Sequence, residues 1–294
     1  MRQKVALVLS SGGARGLAHI GVIEGLEANG YEISSISGSS MGAVVGAFKA
    51  CGALDTYSGW ASQLNRLDVF KLIDFTFSSA GFVRGEKVFK ALEEIIDDRM
   101  IEDLEIPFVA VATDIKNKRS VEISAGSMYK ALRASTAIPT VIKPVLFGTD
   151  KLIDGSVLNP VPVASVKRTE GDLLVVSNVN HPKPYHRSDL TQQKADKEEK
   201  EYLRMLDGFK DRWARLLPGG SSAHGKLGYF ELLNKSIDLM QDHMTDLMLD
   251  QAKPDIVAQI SRDACTTFEF YKAQELIAAG RESIEQALAQ VKAN

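Results

Sequence analysis

The first fifty residues hold the same unit twice: a short apolar run, a Gly/Ser turn and a helix. Val5-Ala6-Leu7-Val8-Leu9 leads into Ser10-Ser11-Gly12-Gly13-Ala14-Arg15-Gly16, after which Leu17, Ile20, Val22, Ile23 and Leu26 recur at helical spacing until Asn29-Gly30. Ile33 to Ser37 is a second short run, Gly38-Ser39-Ser40-Met41-Gly42 a second turn, and Ala43 to Ala50 a helix of small residues. A continuous apolar run of five residues suits a strand covered on both faces. Strand, turn and helix in tandem predict an α/β chain, a three-layer α/β/α sandwich around a mainly parallel sheet.

Later segments continue the pattern. Helices are expected over Glu86–Ile96, Ser127–Ala134, Phe230–Leu249 and Ala273–Val291. Strands are expected over Pro107–Ala112, ending at Thr113-Asp114, and over Ser120–Ile123, Asp172–Val179 and Asp255–Ile260. Phe70 to Phe82 is apolar and aromatic without a clean period. Residues 182–228 change character, with Pro182, Pro184, Pro218 and Gly219-Gly220-Ser221-Ser222; because a strand and a helix follow, they are read as an insertion within one domain spanning 1–294.

Composition excludes several classes. With 35 Lys+Arg against 38 Asp+Glu, nothing marks nucleic acid as a partner. The run at Val5–Leu9 is far short of the about 18 residues that a membrane span needs, and short for a signal sequence, so a cytoplasmic location is expected. Cys51 and Cys265 are read as buried free thiols.

Gly38-Ser39-Ser40-Met41-Gly42 fits G-x-S-x-G between a strand and a helix, the setting of a nucleophile elbow. That makes Ser40 the candidate nucleophile, with Ser39 on the wrong position of the motif. The turn Gly12-Gly13-Ala14-Arg15-Gly16 can present backbone N–H groups to an anion. Dinucleotide binding is disfavoured, because position 11 is Ser and no acidic residue ends the second strand; neither turn ends in the Gly-Lys-Ser/Thr of a P-loop. The remaining reading is an oxyanion hole facing Ser40. A serine nucleophile needs a base. Asp154, in Asp154-Gly155-Ser156, and His181, just past a strand, leave two versions open: a Ser40–Asp154 dyad or a Ser40–Asp154–His181 triad. His19 reads as a packed helix residue, His186 and His224 fall in the insertion, and His243 lies on a helix. No spacing suggests a metal site, and no cofactor is expected.

Several strings in order resemble the patatin-like phospholipases: Leu9 to Val22, Gly38 to Ala43, Thr113-Asp114, Ala134-Ser135-Thr136-Ala137-Ile138-Pro139, and Asp154-Gly155-Ser156 with Asn159-Pro160-Val161-Pro162. The resemblance covers residues 4 to about 180 and, more weakly, 253–291. It implies lipid acyl hydrolysis by a Ser–Asp dyad, with Ser40 as nucleophile, Asp154 as base, and an oxyanion hole in the turn at 11–16 that includes Gly12, Gly13, Ala14 and Arg15. It implies a lipid or acyl-ester substrate and disfavours the triad. Two positions depart from the family: Ser11 stands where glycine is usual, and Ser156 where glycine or alanine is usual. Ser11 places a Cβ beside the expected oxyanion site and restricts φ there. A catalytically weak or inactive lipid-binding or regulatory protein is the alternative reading.

Phe70, Leu72, Ile73, Phe75, Phe77 and Phe82 are candidates to line an acyl slot or to pack the core. Residues 181–217 hold nine Lys+Arg and seven Asp+Glu, and Tyr202, Leu206, Phe209, Trp213 and Leu216 share one helical face. Tyr202–Leu217 is therefore a candidate for peripheral membrane contact or a lid, for packing on the domain, or for a homodimer contact.

Overall fold

The computed structural model describes residues 2–72, 75–78, 81–83, 85–139, 141–185 and 229–293. The chain divides into two units, Met1–Lys183 with Gln241–Asn294, and Pro184–Met240. The expected insertion, its helix at Tyr202–Leu217, His186 and His224 lie outside the described residues. Of the second unit, the described part is residues 184–185 and the first half of the helix Tyr229–Ala252.

The first unit is built on an eight-stranded sheet. Its strands are β1 (Lys4–Leu9), β2 (Glu32–Ser39), β5 (Phe108–Asp114), β6 (Arg119–Ile123), β7 (Val145–Phe147), β8 (Asp150–Asp154), β9 (Leu173–His181) and β10 (Ile256–Ser261). The order is β10-β9-β1-β2-β5-β8-β7, with β6 also paired to β5. The stretch from β10 to β5 is parallel, whereas β6 and β8 pair antiparallel with β5, and β7 pairs antiparallel with β8. Two further short strands, β3 (Phe75–Ser78) and β4 (Gly81–Val83), form a separate hairpin.

The central strand β1 explains its own sequence. Val5 to Leu9 are fully buried, because β2 and β9 flank the strand and helices cover both faces of the sheet. α1 (Ala18–Ala28) and the C-terminal helix, here α8 (Ala273–Ala293), are neighbours. Their backbones approach so closely that a Cβ on Gly21 would stand 1.8 Å from the Ile277 carbonyl oxygen, and one on Gly280 1.9 Å from that of Ala18. A pair of glycines thus sets the crossing distance. The remaining helices are α2 (Met41–Ala50), α3 (Leu54–Gln63), α4 (Arg66–Leu72), α5 (Glu86–Glu93), α6 (Met128–Ser135) and α7 (Tyr229–Ala252).

The expected strands and helices are present with shifted ends. Phe70 to Phe82 lacks a period because it joins the end of α4 to the β3–β4 hairpin. The β7–β8 hairpin is a structural addition to the sequence reading. Both cysteines are buried and unpaired. Among the described residues, no helix is long and apolar enough to cross a membrane, and no group of side chains could hold a metal ion.

Register brings the candidate residues together. Ser39, the last residue of β2, is opposite Val111 of β5, while Asp154, the last of β8, is opposite Ala112. The antiparallel entry of β8 on the far side of β5 therefore delivers the end of β8 next to the end of β2.

Candidate active site

Ser40 sits between β2 and α2 with φ 54° and ψ −122°, a backbone region that residues with a Cβ avoid. The turn is held from both sides. Ser40 N–H donates to Ser135 Oγ at 2.9 Å, and that hydroxyl donates to the Val111 carbonyl at 2.6 Å. On the other side, a Cβ on Gly42 would stand 2.3 Å from the Leu9 carbonyl oxygen, so α2 starts directly against the end of β1. Strain at a nucleophile needs such over-determination, since it costs about 1–3 kcal/mol.

Ser40 Oγ donates to Asp154 Oδ2 at 2.6 Å. The second carboxylate oxygen, Oδ1, accepts from Ser156 N–H at 2.8 Å, and Asp154 N–H donates to the Ala137 carbonyl at 3.0 Å. Burial pushes the Asp154 carboxyl above the ordinary carboxylate range, opposed by the hydrogen bonds from Ser40 and from the backbone and side chain of Ser156. The contact is direct and involves no histidine. His19 is buried in α1, bonded to Ser177 Oγ at 2.7 Å and to the Ser10 carbonyl at 2.8 Å. His181 has Lys183, Asp246, Arg262 and Asp242 as its charged neighbours, and His243 is exposed.

Ser39 points elsewhere. Its hydroxyl is buried without a hydrogen-bond partner among the described residues and lies under Gly155.

The glycine turn folds as a 3-10 segment over Gly13–Leu17. Ser11 N–H donates to the Pro160 carbonyl and Ala14 N–H to the Thr267 carbonyl, both at 2.9 Å. Ala14 is therefore not a free donor, which narrows the expected set of turn amides. Among the described residues, the N–H groups of Gly12 and Gly13 have no partner, and Gly13 shares a cleft with Ser40. The Arg15 side chain acts as a brace: Nε and Nη2 donate to Asn180 Oδ1 at 3.1 and 2.8 Å, and Nη1 donates to the Cys265 carbonyl at 3.1 Å. Asn180 Nδ2 in turn donates to the Ser11 carbonyl at 2.6 Å. Ser11 is not among the residues with positive φ, so the serine fits here without backbone strain.

His19 stabilises the same turn. With Nε2–H donating to the Ser10 carbonyl, Nδ1 is the acceptor for the Ser177 hydroxyl, which requires a neutral ring. Burial lowers its pKa to about 4.

Beside Ser40 opens a cleft of about 1080 Å³, counting its open mouth. Its walls come from α2 to α5, the segment 136–142 and the segment 267–270, and they are almost wholly apolar. Of the aromatic stretch singled out in the sequence, Leu72 lines the cleft and Phe70 is exposed. Ile73 and the side chains of Phe75, Phe77 and Phe82 lie outside the described residues.

The family model of the patatin-like phospholipases matches residues 7–167. The chain belongs to the patatin-like phospholipase family. An uncharacterised NTE family protein of Mycobacterium tuberculosis is 34% identical over 97% of this chain and 91% of its own length. The lysophospholipase NTE1 of Coccidioides immitis is 31% identical over 60% of this chain and 12% of that protein. The crystal structure of VipD from Legionella pneumophila superposes with a TM-score of 0.50 at 15% identity, covering 98% of this chain and 67% of that one, which is a likeness of fold. The matched patatin-like region holds Ser40, Asp154 and the glycine turn. Asn180, Cys265 and Thr267, which fix that turn, lie beyond it.

Sequence reasoning quoted Ser135 within a motif but gave it no role, and it missed Asn180 and Thr267. No local signal marks them: the site residues they hold are 95 to more than 160 residues away, and only the fold makes them neighbours.

Proposed function

We propose that this patatin-like protein is a serine acyl hydrolase acting on an ester-linked acyl chain of a phospholipid or lysophospholipid. The observation that carries the reading is the direct 2.6 Å bond from Ser40 Oγ to Asp154 Oδ2 at the edge of an apolar cleft. The relatives named as lysophospholipases support the substrate class.

Ser40 Oγ attacks the ester carbonyl carbon while Asp154 Oδ2 takes the hydroxyl proton. A carboxylate at its ordinary pKa is a weak base at neutral pH. Burial of Asp154 makes it stronger, and Ser156 N–H on Oδ1 keeps the other oxygen directed at Ser40. The negative charge that develops on the carbonyl oxygen is stabilised by the Gly12 and Gly13 N–H groups. One such donor is worth on the order of 3 kcal/mol. Asp154 then gives its proton to the leaving alcohol. A water, deprotonated in the same way, hydrolyses the acyl-Ser40 ester. The apolar cleft holds the acyl chain throughout. A cytoplasmic location belongs to the same proposal.

The test is covalent labelling by a serine-reactive phosphonate together with hydrolysis of phospholipid and lysophospholipid panels. Labelling at Ser40, its loss in Ser40→Ala, and loss of turnover in Asp154→Asn but not in His181→Ala are expected. Full turnover in Asp154→Asn would overturn the dyad.

A further inference from the structure

The wall of the apolar cleft contains a tyrosine that the proposed chemistry does not use. Tyr57 of α3 lines the cleft at 2% exposure. Its ring is clamped between Phe48, at a centroid distance of 4.5 Å, and Trp60, at 5.9 Å, both nearly parallel to it. Its hydroxyl makes no hydrogen bond among the described residues, and burial pushes its pKa up. Other polar side chains in the wall differ. Thr136 donates its hydroxyl to the Leu132 carbonyl at 2.8 Å, and Thr267 and Trp60 are partly exposed.

A phenol at this position is a poor choice for a slot that holds only methylenes. While the cleft is open, water can hydrate the hydroxyl. A saturated chain that fills the slot excludes that water and offers nothing in exchange, so the buried donor is left unmatched. Phenylalanine would fill the same space without this penalty. A chain that carries its own oxygen at the right carbon would satisfy the phenol in the dry slot. Stacking on Phe48 and Trp60 fixes the ring, so the match depends on where along the chain that oxygen stands.

We infer that Tyr57 is a specificity-determining residue that selects an acyl chain bearing a hydroxyl or keto oxygen along its length. This rests on the acyl hydrolase reading for its substrate class, but its ligand-binding part stands apart from the chemistry. Phe48, on which Tyr57 stacks, is eight positions along α2 from Ser40, about 12 Å along the helix axis. The selected oxygen is thus remote from the scissile ester.

The experiment compares wild type and Tyr57→Phe on umbelliferyl esters of decanoic acid and of its monohydroxy isomers. In wild type, at least one isomer with the hydroxyl remote from the ester exceeds the plain chain in kcat/KM by about ten- to a hundredfold. In Tyr57→Phe the ratio falls to within about twofold of unity. A second arm measures binding of the free acids to Ser40→Ala by calorimetry, where the same isomer binds more tightly than decanoic acid and Tyr57→Phe in that background removes the difference. Preferential binding without any ester hydrolysis by wild type would sink the hydrolase reading and leave the selectivity standing. Hydrolysis of all esters with no isomer preferred, or a preference unchanged in Tyr57→Phe, overturns the selectivity. Should Tyr57→Phe fold poorly, the isomer series on wild type and on Ser40→Ala still decides.

Discussion

The Ser135 hydroxyl accepts the backbone N–H of Ser40 and donates to the Val111 carbonyl, so one side chain ties the strained turn at Ser40 to the middle strand β5. Ser135→Ala leaves that buried N–H without a partner, at about 1–3 kcal/mol. The expected outcome is a kcat lowered by about ten- to a hundredfold with KM little changed, because the turn would drift while the cleft stays intact. Steady-state kinetics on a lysophospholipid check this; a pure KM effect would contradict it.

Ser40 itself stores strain. Ser40→Gly and Ser40→Ala both lose the proposed nucleophile and the bond to Asp154, but only glycine adopts φ 54°, ψ −122° without a Cβ clash. Ser40→Gly is therefore expected to be more stable than Ser40→Ala by about 1 kcal/mol, against the usual cost of glycine. Denaturant midpoints of the two inactive variants decide it, and an alanine variant equal to or above glycine would remove the strain argument.

The pH profile follows from Asp154. Its carboxyl is raised by burial, and only the ionised form accepts the Ser40 proton, so activity rises with pH through a point above the ordinary carboxylate range. The Ser156 hydroxyl lowers that point by hydrogen bonding the carboxylate. In Ser156→Ala the acid limb of kcat/KM moves to higher pH. A limb that moves lower, or stays fixed, runs against this assignment. The same burial has a stability sign. A folded pKa above the unfolded value favours the native state at low pH and destabilises it as pH rises through the folded value. Asp154→Asn, which cannot ionise, is expected to gain in melting temperature relative to wild type as pH rises from 4 to 8.

His19 acts in the opposite direction. Its folded pKa of about 4 lies below the ordinary 6.5, so the neutral ring stabilises the fold fully above pH 6.5. That stability is lost as pH falls from 6.5 towards 4, by about 3 kcal/mol in all. Urea unfolding across this window measures it. His19→Gln is expected to flatten the slope there and to be less stable at pH 7.

Much of this was legible in the chain because it depends on local backbone. The strand-turn-helix units, the G-x-S-x-G serine and the Asp154 turn are set by residues within a few positions of one another. What escaped is non-local. The β7–β8 hairpin adds β8 antiparallel beyond β5 in the register that sets Asp154 opposite Ala112, and nothing in Val145 to Asp154 announces that pairing. Ala14 looked as eligible a donor as Gly12 and Gly13 until Thr267 was placed against it. Phe70 to Phe82 is the conspicuous apolar stretch, but most of the cleft wall comes from α2, α3, α5 and residues 138–142, whose apolar faces are indistinguishable from ordinary core in sequence.

The brace on the glycine turn has a temporal consequence. Arg15 is fastened to the Cys265 carbonyl, which is made 250 residues later. A nascent chain on the ribosome can already contain Ser40, Asp154 and the strands that join them, yet its glycine turn has no anchor on that side until Cys265 has been made. The backbone beside Ser40 is thus braced on that side only after Ser40 and Asp154 have both been made.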